Sequence, residues 1–179
     1  MKTIESFEVF SFVRGVSERK MQAVPHIETV RQDRQPRDTP IENHQCADEW
    51  FRNEFGTRYR SQSVFVTGSL AVAGAYAKYG KVTGSTPLAV VRVLPLGPYS
   101  FCWSPKVRDL STLIGLKGMG AEVSSILKDS GYLESQLGLA YEMGNEVMLA
   151  CDRYVAIPWR HLEDQNQDGR RPGSALLLA

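Results

Sequence analysis

Short apolar runs with the character of β-strands, interspersed with segments of helical periodicity, constrain this fold more than any other feature of the chain. No internal repeat and no linker divides the chain of 179 residues. A chain of this length can bury a hydrophobic core without disulfides or metal ions. We therefore predict a single α+β domain over residues 1–160, followed by a flexible polar tail over residues 161–179.

The predicted strands are short runs of Val, Ile, Leu and aromatic residues bounded by turn residues. They are residues 7–13, 64–66, 88–94 and 99–103 and the two late runs GNEVMLAC and RYVAIP. We predict a turn at PLGP (residues 95–98) and a break between the last two strands at Asp152 and Arg153. Residues 17–38 are polar and interrupted by Pro36, which predicts a loop with at most one short helix.

The clearest helix signal is TPIE, in which Thr39 is a candidate cap and Pro40 occupies the first turn. We expect this helix to reach Phe55 and to end at Gly56. Its apolar stripe is predicted to pack the core and comprises Ile41, Cys46, Trp50 and Phe51. Further helices are predicted from Leu70 to Gly80, from Ser104 and Pro105 onward, and once or twice within residues 110–139.

Charge and cysteine content narrow the set of partners. A formal net charge of +1 gives no reason to expect nucleic acid or an anionic membrane as the main partner. The three cysteines have no CxxC spacing, which argues against a disulfide framework and a structural metal site. The N-terminus has no secretory pattern and no run reaches membrane-spanning length. We expect a cytoplasmic protein without membrane or metal partners, with secretion or injection into a host cell left open.

Three separated features carry the functional hypothesis: Arg14 at the end of the first strand, the VFVTGS turn, and Glu146 at the start of a late strand. Their order resembles the mono-ADP-ribosyltransferase superfamily, in the branch with a first-strand arginine, a Ser/Thr-x-Ser turn and a catalytic glutamate. The resemblance spans residues 7–158. It implies an ADP-ribosyltransferase-like α+β fold, with split mixed or antiparallel sheets forming an NAD cleft between flanking helices.

The resemblance assigns NAD-binding roles to residues at the turn and on the first strand. Arg14 is expected near the NAD phosphates, where a guanidinium offers a planar fork of donors. Thr67 and Ser69 match the two hydroxyl positions, and Ser69 can also cap the following helix. Tyr76 and Trp103 are candidate stacking partners for nicotinamide or adenine. The alternatives are an arginine packed at a strand end, an ordinary strand-to-helix turn and aromatic residues that belong to the core.

The resemblance makes Glu146 the catalytic residue. A carboxylate there can stabilise the positive charge that develops on the ribose carbon when nicotinamide leaves NAD. The alternative is a strand-edge glutamate that faces water. Family members that modify arginine carry Glu or Gln two residues earlier, where this chain has Gly144. Arginine is therefore not the expected acceptor, although Glu142 and Asn145 lie close enough to substitute.

The leading interpretation is a mono-ADP-ribosyltransferase with a toxin or effector role and a macromolecular target. A target protein is favoured, and nucleic acid remains a candidate acceptor. The same site in an NAD glycohydrolase would transfer the sugar to water. A third interpretation is an inert protein-binding module that uses a basic face within residues 31–60.

Overall fold

The computed structural model describes residues 6–17, 21–36, 39–78, 89–116 and 119–159. The strands in these ranges are β1 (Val13–Gly15), β2 (His26–Thr29), β3 (Val64–Val66), β4 (Val90–Trp103) and β5 (Val147–Pro158). The helices are α1 (Ile41–Phe55), α2 (Leu70–Lys78), α3 (Leu110–Leu113), α4 (Glu122–Asp129) and α5 (Leu137–Met143). The predicted α+β class is confirmed. Gly80, Leu88 and the predicted tail lie outside the described residues.

The strands form one open antiparallel sheet built on the long β4–β5 pair. β4 and β5 pair from Val91–Pro158 at one end to Trp103–Val147 at the other. At the first end β1 adds to β4, and β2 adds to β5. At the other end β3 adds to β5. The long pair therefore carries different short strands at its two ends.

A single bridge joins β1 to β3. Val13 and Thr67 exchange two backbone N–H···O hydrogen bonds of 2.9 Å each. Because β1 pairs with one end of the β4–β5 ribbon and β3 with the other, the ribbon must curve to allow this bridge. The curvature brings the segment around Arg14 next to the VFVTGS turn.

The predicted turn at PLGP and the predicted break at Asp152 and Arg153 are both wrong. β4 and β5 continue through these points, and the irregularity is a register shift between Leu96 and Tyr99. Gly97 adopts a φ of +78° in β4, and both Asp152 and Arg153 are exposed in β5. The turn signals mark a bulge, because two long strands pair on both sides of it.

The N-terminal predictions also need correction. The expected strand over residues 7–13 is mostly irregular, and its Phe7 and Phe12 are fully buried with ring centroids 4.7 Å apart. The predicted loop over residues 17–38 contains β2, an edge strand whose side chains alternate between half-buried and exposed. The apolar residues of the first run are buried by ring packing and do not form a strand. The polar residues of β2 form a strand because they pair with the distant β5.

Two apolar clusters lie on opposite sides of the sheet. The first, which we call the sheet cluster, contains Val147 and Leu149 together with Trp103. The second, which we call the helix cluster, contains Met148 with side chains such as Phe51 from α1 and Leu127 from α4. Neighbouring residues of a strand face opposite sides, so β5 contributes to both clusters.

The helix α1 ends as predicted and begins differently. Gly56 adopts the left-handed conformation and its N–H donates to the Arg52 carbonyl, which confirms the predicted end. Thr39 is not the cap, because Pro40 takes that position and the Thr39 hydroxyl accepts a hydrogen bond from Arg60 at 3.1 Å. Ile41, predicted to lie in the core, is 50% exposed.

The buried face of α1 is more polar than its apolar stripe predicts. It contains Asn43, His44 and Asp48 besides Ala47 and Phe51. The Asn43 amide donates to the carbonyls of Ile114 and Leu116 at 2.8 and 2.7 Å, and its oxygen accepts from Gly120 N–H at 3.0 Å. The side-chain amide of Asn43 is therefore fully paired, which allows it to be buried.

The helix predicted to open at Ser104 and Pro105 begins later. The Ser104 hydroxyl accepts from the N–H groups of Lys106 and Val107 at 3.0 and 3.1 Å, which makes a local turn. The helix α3 follows with Asp109 as its cap, whose carboxylate accepts from Ser111 N–H at 2.7 Å. The Ser104 hydroxyl therefore forms a turn, and the prediction that a helix begins at Ser104 and Pro105 is wrong.

Candidate functional site

The VFVTGS turn is held by the hydroxyls of Thr67 and Ser69. The buried Thr67 hydroxyl donates to the Gly144 carbonyl at 2.7 Å and accepts from Ser69 N–H at 3.0 Å. The Ser69 hydroxyl accepts from Val72 N–H at 3.3 Å in the first turn of α2, as predicted for a cap. Thr67 thus connects this turn to the segment that leads into Glu146.

Gly68 and Gly144 allow the VFVTGS turn to lie directly against the end of α5. A Cβ atom at Gly68 would lie 2.0 Å from the carbonyl oxygen of Tyr141 in α5. At Gly144, which has a φ of +66°, a Cβ atom would lie 2.9 Å from the Ser69 Cβ. The second hydroxyl residue that the resemblance leads one to expect at position 68 therefore has no room in this chain.

Glu146 lies directly before β5, and its surroundings differ from those of an exposed strand end. Its N–H donates to the Arg108 carbonyl at 3.0 Å, and its carboxylate accepts from Leu110 N–H at 3.2 Å. Burial of the carboxyl group, followed by the nearby negative charge of Asp109, raises the pKa of Glu146 to about 7. The positive charge of Arg60 opposes this rise. A group with this pKa changes its charge near neutral pH.

Arg14 lies in β1, and its guanidinium donates to the Tyr154 hydroxyl at 3.1 Å. Its backbone neighbour Val13 forms the bridge to Thr67. The structure therefore brings the backbones of β1, the turn and the segment before Glu146 together. The side chains diverge: Arg14 contacts Tyr154, which belongs to the sheet cluster, whereas Glu146 contacts the beginning of α3.

The aromatic candidates fall into two groups. Tyr76 on α2 is 46% exposed. Trp103 is fully buried and its indole N–H donates to the Ser135 carbonyl at 2.8 Å, which makes it a core residue. Of these two residues, only Tyr76 is exposed to solvent.

Sequence reasoning missed two charged residues beside Glu146. Arg60 is only 4% exposed, and its guanidinium contacts the hydroxyls of Thr39 and Ser111. Asp109 lies at the cap of α3. The sequence Asp109-Leu-Ser carries a recognisable helix-cap signal, so Asp109 could have been found. No local pattern marks Arg60, because its partners come from distant parts of the chain.

Within the described ranges, no group of three or more His, Cys, Asp or Glu side chains is placed to hold a metal ion. None of the helices in the same ranges is long and apolar enough to cross a membrane.

Comparisons with known proteins find no match among protein-family models, curated proteins or solved structures.

Proposed function

We propose that this protein is a mono-ADP-ribosyltransferase that cleaves NAD and transfers ADP-ribose to a macromolecular target, with a toxin or effector role. The observation that carries the proposal is the junction of the three motif segments. The Val13–Thr67 bridge joins the Arg14 strand to the turn, and the Thr67 hydroxyl joins the turn to Gly144, two residues before Glu146. An ADP-ribosyltransferase-like fold with an NAD cleft at this junction is part of the proposal.

The chemistry assigned to Glu146 is electrostatic. The bond between the ribose carbon and nicotinamide breaks, and nicotinamide leaves with the bonding electrons. A fixed carboxylate stabilises the positive charge that develops on the ribose. The acceptor then forms the new bond to that carbon and loses a proton. The aromatic ring of Tyr76 and the guanidinium of Arg14 are of the right chemical types to contact a base and a phosphate.

The same site supports a second function, NAD glycohydrolase, in which water is the acceptor. Gly144 is compatible with it, because this position lacks the side chain with which arginine-modifying relatives hold their acceptor. The two functions share the Glu146 chemistry and differ only in the destination of the sugar.

The test uses the purified full chain with NAD labelled in its adenylate half, with and without a cell lysate. Nicotinamide release together with label on a macromolecule supports the transferase. Release with free ADP-ribose alone supports the glycohydrolase. If calorimetry detects no NAD binding and no nicotinamide is released, the proposal fails and an inert binding module becomes the better interpretation.

We predict that Arg14→Lys weakens NAD binding although the charge is kept. An ammonium group cannot reproduce the paired hydrogen bonds of a guanidinium to phosphate, so the loss should be about 1 to 3 kcal/mol. Titration calorimetry with NAD measures it. The exposed Arg153→Lys on β5 is the matched control. If both variants bind NAD like the parent protein, Arg14 is only the partner of Tyr154.

Free arginine analogues should be poor acceptors. Arginine-modifying relatives are expected to hold the incoming guanidinium with an acidic or amide side chain, and Gly144 provides none. Agmatine should therefore leave the rate of nicotinamide release nearly unchanged and acquire little label. Efficient labelling of agmatine, or of arginine side chains located by mass spectrometry, would contradict this prediction and point to Glu142 or Asn145.

A further inference from the structure

Three charged side chains meet at the first turn of α3. The Glu146 carboxylate accepts from Leu110 N–H at 3.2 Å, and the Asp109 carboxylate accepts from Ser111 N–H at 2.7 Å. Each of the two terminal nitrogens of the Arg60 guanidinium lies 3.5 Å from the Ser111 hydroxyl oxygen. Two carboxylates and one guanidinium therefore contact the consecutive residues Leu110 and Ser111.

Arg60 is buried in this position and has two further neutral neighbours. Besides Ser111 it contacts the buried Thr39 hydroxyl at 3.1 Å, and its guanidinium carbon lies 5.2 Å from the centre of the Phe65 ring. In the part of the chain that the structure describes, no carboxylate oxygen lies within 4.0 Å of its nitrogens, and its buried Nε has no hydrogen-bond partner. A buried guanidinium with only neutral direct partners is costly unless a negative charge lies nearby.

We infer that Arg60 is a positioning residue for Glu146: fixed against Ser111 in the first turn of α3, its positive charge favours the ionised form of the carboxylate that accepts from the neighbouring Leu110 N–H. The negative charge of Asp109 disfavours ionisation of the partly buried Glu146 carboxyl group, and a fixed cation offsets that repulsion. A role of Arg60 in catalysis rests on the proposed function. The effect of the Arg60 charge on the ionisation of Glu146 does not, because it requires no NAD.

Other charged and titratable groups also surround this turn. Arg34, after β2, acts on Glu146 in the same direction as Arg60 but more weakly. Burial and the negative charge of Glu146 raise the pKa of Tyr132, so its phenol stays neutral. On α1, burial and the positive charge of Arg60 lower the pKa of His44, whose nearest carboxylate is Asp48 at 4.0 Å. Arg60 is thus the strongest cationic influence on Glu146 among these groups.

The experiment follows the ionisation of Glu146 by the pH dependence of its carboxyl carbon signal in nuclear magnetic resonance. The signal is assigned by its loss in Glu146→Gln. Arg60→Met should raise the titration midpoint by about one to two pH units, a 10- to 100-fold change in proton affinity. Arg60→Lys keeps the charge and should raise the midpoint by less than half as much. Arg58→Met, at a partly exposed arginine paired with Glu49 at 3.7 Å, should leave the midpoint unchanged.

A folded Arg60→Met protein with the parent midpoint overturns the inference, as does Arg60→Lys shifting the midpoint as far as Arg60→Met. If Arg60→Met lacks the parent circular dichroism spectrum, Arg60→Gln takes its place with the same expected shift. Ser111→Ala provides a further variant: it removes one anchor and should raise the midpoint by a smaller amount, and an unchanged midpoint counts against the inference.

The titration requires no NAD, so its outcome is separate from that of the proposed function. A shifted midpoint in a protein that releases no nicotinamide rejects the transferase and retains the positioning role of Arg60. In an active protein, the acidic limb of the pH–rate profile should move to higher pH in Arg60→Met and by less than half as much in Arg60→Lys.

Discussion

Replacing Glu146 by glutamine should lower the rate of nicotinamide release by about 100- to 1000-fold and leave the affinity for NAD nearly unchanged. The amide is nearly isosteric and can still accept from Leu110 N–H, but it has no charge to stabilise the developing positive charge. Because the pKa of Glu146 is about 7, the parent rate should rise between pH 6 and 8 as the carboxylate forms.

The same substitution should increase stability, and the gain should grow with pH. The pKa of Glu146 is higher in the folded protein than in the unfolded chain, so its contribution to stability is present below about pH 4.5 and is lost as pH rises through about 7. Glutamine avoids that loss. Allowing for partial solvent access, we expect a gain of about 1 to 3 kcal/mol at pH 8 and little at pH 4.

Thermal unfolding, NAD calorimetry and nicotinamide release measured on the same sample separate the possible roles of Glu146. The exposed Glu122→Gln on α4 is the matched control and should change none of the three. A Glu146→Gln protein that releases nicotinamide at the parent rate removes the catalytic assignment. A protein with lower activity and no pH-dependent gain in stability would show that the carboxylate is not buried as described.

Gly68→Ala should lower the free energy of unfolding by about 3 kcal/mol, the upper end of the usual cost of overpacking. The added methyl would lie 2.0 Å from the Tyr141 carbonyl oxygen, which belongs to the backbone of α5 and cannot rotate away. Relief requires α5 to move from the turn. That movement would also disturb the Thr67–Gly144 hydrogen bond, so activity should fall with stability.

Chemical denaturation of Gly68→Ala and Gly56→Ala side by side separates the clash from the general cost of replacing glycine. Gly56 has open space around it but a φ of +80°, so alanine there should cost only about 1 to 2 kcal/mol. A smaller loss at position 68 than at position 56 would mean that α5 yields readily. The close approach would then not be what excludes a side chain from the turn.

Features controlled by neighbouring residues could be predicted from the sequence. Gly56 ends α1 and Ser69 caps α2, because both effects act within one helical turn. Features controlled by distant residues could not. The Thr39 hydroxyl contacts Arg60, 21 residues away, instead of capping α1. The strand β2 depends on pairing with β5, more than 120 residues later, and its polar sequence carries only a weak strand signal.

The candidate site shows the same division. The order of Arg14, the turn and Glu146 is visible in the sequence, and the structure joins their backbones. The partners of the side chains are not visible: Tyr154 lies 140 residues from Arg14, and Glu146 accepts from Leu110, 36 residues away. A local pattern can suggest a charged residue at a strand end, but the pKa of Glu146 is determined by burial, Asp109 and Arg60.

The alternation of Val147, Met148 and Leu149 along β5 has a consequence for how the chain unfolds. Successive residues of one strand belong to the sheet cluster and the helix cluster in turn. Neither cluster can release β5 without removing side chains from the other. Although the two lie on opposite sides of the sheet, they are expected to be lost in a single cooperative transition rather than as separate units.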